Sequence, residues 1–233
     1  KCTATTDKNR RHVFKRGAPQ ANRYNFTPED LLKDEEVQKL IADNSFADIS
    51  QRYLGASPLL DEVVMWWSTD FSKTPDEDAA QLFHFDMDKP KWIKFFFCLT
   101  DIDSHSGPHV FVKGSHKTNG IPRSMLKKGY ARLSDEEVVS HYGKDKIVEF
   151  VAKRGTIIAE DSRGLHKGKH LQKGDRLMIG LQFSNSSFGN NNRRSNLGHN
   201  LTDELKESLK NYPRVYENYI IDRDFKIDKY VDV

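Results

Sequence analysis

The sequence is poor in cysteine, in long apolar runs and in repeated text, and each shortage removes a class of protein. Only Cys2 and Cys98 occur among 233 residues. That excludes a disulfide-stapled fold and a zinc site of closely spaced thiols, and a reducing, cytoplasmic compartment is expected. No apolar stretch approaches the roughly 18 residues of a membrane span, so none is expected. There is no internal repeat, and compositional bias is confined to the Asn/Arg-rich residues 190–196. Acidic charge is also short at one end: residues 1–23 carry seven basic side chains (Lys1, Lys8, Arg10, Arg11, Lys15, Arg16, Arg23) against Asp7 alone. With a whole-chain charge of +3, the remaining body is net negative and offers little to a phosphate backbone, so no nucleic-acid partner is expected. The basic arm reads as a solvated terminus, with contact to a phosphate or an acyl-CoA as the alternative.

What is present, 36% hydrophobic and 30% charged residues, suffices for one polar domain over 27–233 behind an arm of residues 1–26. Thr27, Pro28 and Asp30 have the spacing of an N-cap, a first-position proline and a capping box, and predict a helix to about residue 42. A second helix is expected over 46–54, ended by Gly55, and a short one over 134–141 opened by Ser134 and Glu137. Thr202 caps another to about residue 211, within a helical extension over 200–233. Between them the period shifts to two, predicting strands at 62–68, 81–87, 92–100, 109–112, 147–151, 155–160 and 176–184. Helices flanking such a set imply an α+β, mainly β, domain in which helices buttress a barrel or sandwich.

In the expected strand 81–87, His84 and Asp86 stand two apart and therefore face the same side. Chance alone supplies about one His-x-Asp pair in a chain of this composition, so the context must decide. The context is Gly164-Leu165-His166 followed by a strand that alternates without fault. Leu177, Ile179, Leu181 and Phe183 form its apolar face; Arg176, Met178, Gly180 and Gln182 form the other. A face carrying a charge, a small residue and an amide lines a polar cavity rather than a dry core. Two histidines and one aspartate on inward faces fill half an octahedron, the arrangement of non-haem Fe(II) oxygenases, whose open positions admit O2 and a chelating co-substrate. An arginine in the same cavity offers a planar fork for a carboxylate. His105, His109, His116 and His170 compete with His166 for the third position. A structural imidazole bonded to backbone is expected of His116, and His109 is a candidate substrate contact. One of Trp66 and Trp67 is core and the other a candidate wall of the site. Phe95, Phe96 and Phe97 read as a strand buried on both faces, and Cys98 as a small buried hydrophobe.

Three segments together resemble the phytanoyl-CoA dioxygenase-like branch of the Fe(II)/2-oxoglutarate oxygenases: His84-Phe85-Asp86, the stretch from Ser106-Gly107-Pro108-His109 to Gly114-Ser115-His116-Lys117, and His166 with Arg176 ten residues on. The resemblance covers about residues 60–184. It implies a double-stranded β-helix (a jelly-roll, cupin-like barrel), Fe(II) on His84, Asp86 and His166, and 2-oxoglutarate held through Arg176. Where many members carry a serine two residues after the distal histidine, Gly168 stands here, so a hydroxyl such as Thr100 or Ser68 is the expected helper of Arg176. The implied activity is hydroxylation of an aliphatic C–H bond of a small or carrier-linked metabolite by O2, with 2-oxoglutarate decarboxylated to succinate. Related halogenases lack the carboxylate, so Asp86 argues for hydroxylation. A nucleic-acid demethylase of the same superfamily and a non-catalytic metal- or ligand-binding β-barrel are the alternatives. The loops 69–80 and 185–199 are the expected lids.

Overall fold

A computed structural model describes residues 4–6, 12–87, 89–129, 132–188 and 195–221. In chain order its elements are β1 (Arg23–Asn25), α1 (Pro28–Leu31), α2 (Glu35–Ala42), α3 (Asn44–Leu54), β2 (Leu59–Thr69), β3 (Trp92–Cys98), β4 (His109–Val112), α4 (Arg123–Leu126), α5 (Asp135–Tyr142), β5 (Ile147–Phe150), β6 (Ile157–Glu160), β7 (His166–Gly168), β8 (Asp175–Ser184), β9 (Ser195–Asn196), α6 (Asp203–Asn211) and β10 (Tyr219–Ile220). Five strands form an antiparallel sheet in the order β1-β2-β8-β3-β6, three form a second in the order β5-β4-β7, and β9 pairs with β10. The architecture is α+β with sheet predominating.

The alternation of β8 divides the larger sheet into two environments. Ile179, Leu181 and Phe183 join Val63, Ile93, Phe95 and Phe97 on the outer face, where Val37 and Ile41 of α2 and Phe46 and Ala47 of α3 cover them. Each such aliphatic or aromatic side chain contributes about 1.5–3 kcal/mol by leaving water. The inner face turns toward the smaller sheet and lines a cavity. The smaller sheet has its own backing, in which Val110, Val112 and Leu165 pack with Met125, Leu133 and Val138 from α4, α5 and their loops.

The helix expected from Thr27 is broken in two. Thr27 makes no side-chain cap, α1 ends within a turn, and Asp34 restarts the chain by accepting hydrogen bonds from the backbone of Glu36 and Val37. The local preference of an aspartate for an N-cap outweighs continuation of the apolar stripe. The helices expected at 46–54, 134–141 and 202–211 form within two residues of those bounds. Gly55 ends α3 at φ 74°, a left-handed value that glycine adopts without strain, and Ser134 and Glu137 close a reciprocal capping box. After α6 the described chain leaves the helix for turns and β10, so the extension is not helical throughout; residues 222–233 lie outside the described residues, as do 189–194 of the second expected lid.

The described part of the basic arm is anchored on the sheet while Lys15 and Arg16 stay exposed. β1 pairs along β2, Phe14 stacks on Trp67 at 4.4 Å, and the Arg16 guanidinium lies over the same indole. Lys1, Lys8, Arg10 and Arg11 lie outside the described residues.

Candidate metal and co-substrate site

His84 and Asp86 sit on an extended segment that forms a strand only in part: the backbone of His84 exchanges both hydrogen bonds with His166 of β7, and Asp86 N–H donates to the Ser162 carbonyl. These bonds, rather than a continuous strand over 81–87, bring the three side chains together. Their ligand atoms lie within 4.8 Å of one another, and all three residues are buried. His84 Nε2 is 4.0 Å from Asp86 Oδ1, and His166 Nε2 is 3.9 Å from Asp86 Oδ2. Each imidazole donates its Nδ1–H to a carbonyl two residues earlier, Leu82 for His84 and Gly164 for His166, both at 2.9 Å. That bond fixes the tautomer, so both Nε2 lone pairs face the common centre.

The charges suit a divalent cation. Burial, and then proximity to His166, lowers the His84 pKa to about 3; burial also lowers that of His166. Both rings are therefore neutral ligands at pH 7. Burial alone would raise the Asp86 pKa, but the charge and hydrogen bond of Lys94 lower it and hold the carboxyl ionised. Lys94 Nζ donates to Asp86 Oδ2 at 2.7 Å, a contact the sequence reading missed. Its signal was a single charge inside the apolar strand Trp92–Cys98.

The triad opens on a cavity of about 180 Å3 between the two sheets. Arg176, Met178, Gly180 and Gln182 all line it, the face that the alternation of β8 had set apart. Arg176 is 6% exposed; its Nη2 donates to Ser68 Oγ at 3.2 Å, while its Nε has no partner among the described residues. Burial, and then the neighbouring Arg23, lowers its pKa to about 10, which leaves it charged at pH 7. A Cβ on Gly168 would meet Arg176 Nη2 at 3.3 Å, so glycine keeps the guanidinium fork clear at the position where a serine was expected. Of the two expected helpers, Ser68 is therefore in contact, and Thr100 is not. Its hydroxyl instead accepts from the Leu177 backbone N–H at 3.2 Å, and Thr100 does not line the cavity.

Trp66 forms part of the wall, whereas Trp67 points to the opposite face under Phe14. Phe96 also faces the cavity, so the Phe95–Phe97 run is not purely core. His109 lines the cavity and pairs through Nε2 with the buried Glu160, whose ionised form His109 and His166 stabilise against burial. His116 differs from expectation: its Nδ1 is buried without a partner among the described residues, and Ser115 makes the turn's bonds, accepting from Leu165 N–H and donating to the Val112 carbonyl. His105 and His170 lie apart, bonded to Gln172 and to the Ser72 carbonyl. Ala79 and Ala80 bring the 69–80 loop to the cavity, but among the described residues none of 185–199 reaches it. The sequence reading also missed Arg23, delivered by β1 with its guanidinium 4.6 Å from the Trp66 ring, and Glu62. Nothing local marks either, because their arrival depends on the pairing of β1 with β2 and of β2 with β8.

The structure was compared with known proteins. It resembles an iron-bound HygX from Streptomyces hygroscopicus at 19% identity and a TM-score of 0.51, over 72% of this chain and 74% of that one. HygX with nickel and 2-oxoglutarate bound gives the same identity and score over 74% and 72% of the two chains. The 2-oxoglutarate-dependent non-haem epimerase SnoN of nogalamycin biosynthesis gives 16%, 0.50, and 73% and 66%. At these identities the likeness establishes the cupin-like double-stranded β-helix fold. No curated protein matches the sequence. The model of the phytanoyl-CoA dioxygenase (PhyH) family, however, matches residues 2–174, extending well ahead of the region where the motifs lie. The chain belongs to the phytanoyl-CoA dioxygenase family, and it is a non-haem iron enzyme that depends on 2-oxoglutarate.

Proposed function

We propose that this enzyme hydroxylates an aliphatic C–H bond of a small metabolite, with iron on His84, Asp86 and His166 and the far carboxylate of 2-oxoglutarate on Arg176. The observation that carries this reading is a shared cavity: three converging candidate ligands at one wall, and at another a buried guanidinium whose Nε has no partner among the described residues. When bound, iron(II) and 2-oxoglutarate supply the oxidation, O2 giving one oxygen atom to the succinate formed with loss of CO2 and the other to the substrate.

The protein's own part is orientation. The backbone carbonyls of Leu82 and Gly164 hold the imidazoles, Lys94 holds Asp86, and Ser68 holds Arg176 from behind. Trp66, Phe96 and Met178 give the middle of the cavity an apolar wall that limits water around the reacting carbon. Asp86 would supply the carboxylate ligand that a halogenating relative lacks.

The test is direct. Purified protein with Fe(II) and 2-oxoglutarate should release succinate, and His84→Ala and His166→Ala should abolish both stoichiometric iron binding and that release. Full activity in either variant refutes the assignment.

A further inference from the structure

The inner face of the larger sheet has an ordered polarity, read directly from its register. At one end Arg23, Ser68 and Arg176 stand side by side across β1, β2 and β8. Trp66 pairs with Met178, and Val64, Gly180 and Phe96 follow in the next row on this face. At the other end Glu62, Gln182, Lys94 and Glu160 stand side by side across β2, β8, β3 and β6. One wall thus runs from two guanidiniums, through apolar rows, to a mixed polar row beside the metal carboxylate.

Within that last row most side chains have protein partners. Lys94 bonds Asp86, Glu160 pairs with His109, and Glu62 attracts Arg23. Gln182 differs in lining the cavity, at 5% exposure, with an Oε1 that has no hydrogen-bond partner among the described residues; Oε1 of Glu160 is likewise buried without one, but Glu160 does not line the cavity. A buried amide left unpaired is costly, and burying it at the wall of a site is useful only if something entering the site bonds it. Glu62, directly across from Gln182 in β2, lines the same cavity and is exposed at its rim, so it adds an acceptor and a negative charge on the approach.

We infer that Gln182, with Glu62 beside it, binds a hydroxyl or amino group of the primary substrate, which is therefore a small alcohol or amine rather than an apolar acyl chain or an acyl-CoA thioester. The inference rests on the assignment of the opposite, guanidinium-bearing end to 2-oxoglutarate. A hydroxyl both donates and accepts and so satisfies the amide in either orientation; an amine satisfies its oxygen and is drawn by Glu62. An acyl chain leaves the amide unpaired, which disfavours it by about 5- to 150-fold, and the phosphates of a CoA carrier would meet the Glu62 carboxylate at the rim. The contact also orients: a group anchored on Gln182 sits one strand from Lys94 and hence beside Asp86, presenting a neighbouring carbon to the metal.

The experiment uses the full chain with Fe(II) and 2-oxoglutarate. Succinate release is measured over a panel of polyols, amino sugars and amino alcohols set against fatty acids and acyl-CoA thioesters. Stimulation confined to the hydroxyl- and amine-bearing compounds is expected. Stimulation by the acyl compounds alone, or by none of the panel, overturns the inference. For a stimulating compound, Gln182→Leu should lower kcat/KM by about tenfold or more, and Glu62→Gln should weaken amines more than alcohols. A kcat/KM within twofold of the native value in Gln182→Leu also overturns it. Thermal melting of the metal-free protein gives an independent readout. Leucine should match or exceed the native midpoint, since it replaces an unpaired buried amide, whereas a lowered midpoint means the amide is structural. The absorption band of the anaerobic iron–2-oxoglutarate complex separates the two levels of the argument. If it fails to form in the native protein, the function itself is misread; if it forms while the panel and variant results disagree, only the substrate class is.

Discussion

Arg176 invites the sharpest perturbation, because its guanidinium carries a buried charge whose only hydrogen bond among the described residues runs to a neutral hydroxyl. No carboxylate lies among the groups that set its pKa; burial and Arg23 both push it down, to about 10. A carboxylate entering the cavity would supply the missing counter-charge and, through the fork, two parallel hydrogen bonds. Truncating one partner of such a buried charged pair costs about 2–5 kcal/mol, so Arg176→Ala should weaken 2-oxoglutarate binding by roughly 30-fold to several thousand-fold. Gly168 offers no second hydroxyl, which places the expected loss toward the upper end. Arg176→Lys should restore only part of it, since an ammonium cannot match the fork, and Ser68→Ala, which removes an acceptor of the charged guanidinium, should cost about 1.5–3 kcal/mol. The assay is an anaerobic titration of 2-oxoglutarate into the Fe(II) protein, followed by the charge-transfer band, with iron affinity measured in parallel. Iron affinity should barely change. A native dissociation constant for 2-oxoglutarate in Arg176→Ala would show that the carboxylate is held elsewhere.

Other expectations concern the metal side. His84→Ala and His166→Ala should each leave less than stoichiometric iron by elemental analysis while the far-ultraviolet circular dichroism stays native; a full complement of iron would count against the triad. The metal-free protein should lose stability as pH falls from about 6.5 toward 3. An unfolded His84 binds its proton near 6.5 and the folded one only near 3, so in that window the unfolded state holds more protons and stability rises with pH. Urea midpoints between pH 7 and 5 should therefore fall less steeply in His84→Gln, and identical slopes would contradict the burial argument. With a turnover substrate in hand, excess chloride should give hydroxylated product and no chlorinated product by mass spectrometry, because Asp86, as the proposed third ligand, would leave no place for chloride.

What could be read from the chain alone follows from period and distance. The inward face of β8 was legible because a strand repeats every two residues, so Arg176 and Gln182 had to share a side. The triad was legible because His84-x-Asp86 and His166 bracket a distinctive turn. Arg23 and Glu62 were not, since each reaches the cavity only through cross-strand pairings. The choice between Ser68 and Thr100 likewise waited on register: Ser68 stands opposite Arg176, while Thr100 lies just past β3 and is spent on a backbone N–H. The break between α1 and α2 turned on Asp34, whose capping strength competes with a helical stripe at close to equal weight.

The short strand β1 has two duties that cannot be separated. It covers the outer edge of β2 over Trp66, Trp67 and Ser68, and it carries Arg23 into the cavity. An open edge with that sequence is a template for pairing with another chain, so a variant beginning at Thr27 would trade a covered edge for an adhesive one. It would also lose a cationic wall residue at the same stroke. For anyone engineering the enzyme, the arm is thus the wrong place to trim and a promising place to graft. Its backbone is already pinned by the sheet, so exchanging the side chain at position 23 resculpts the reaction chamber from outside the metal-binding core.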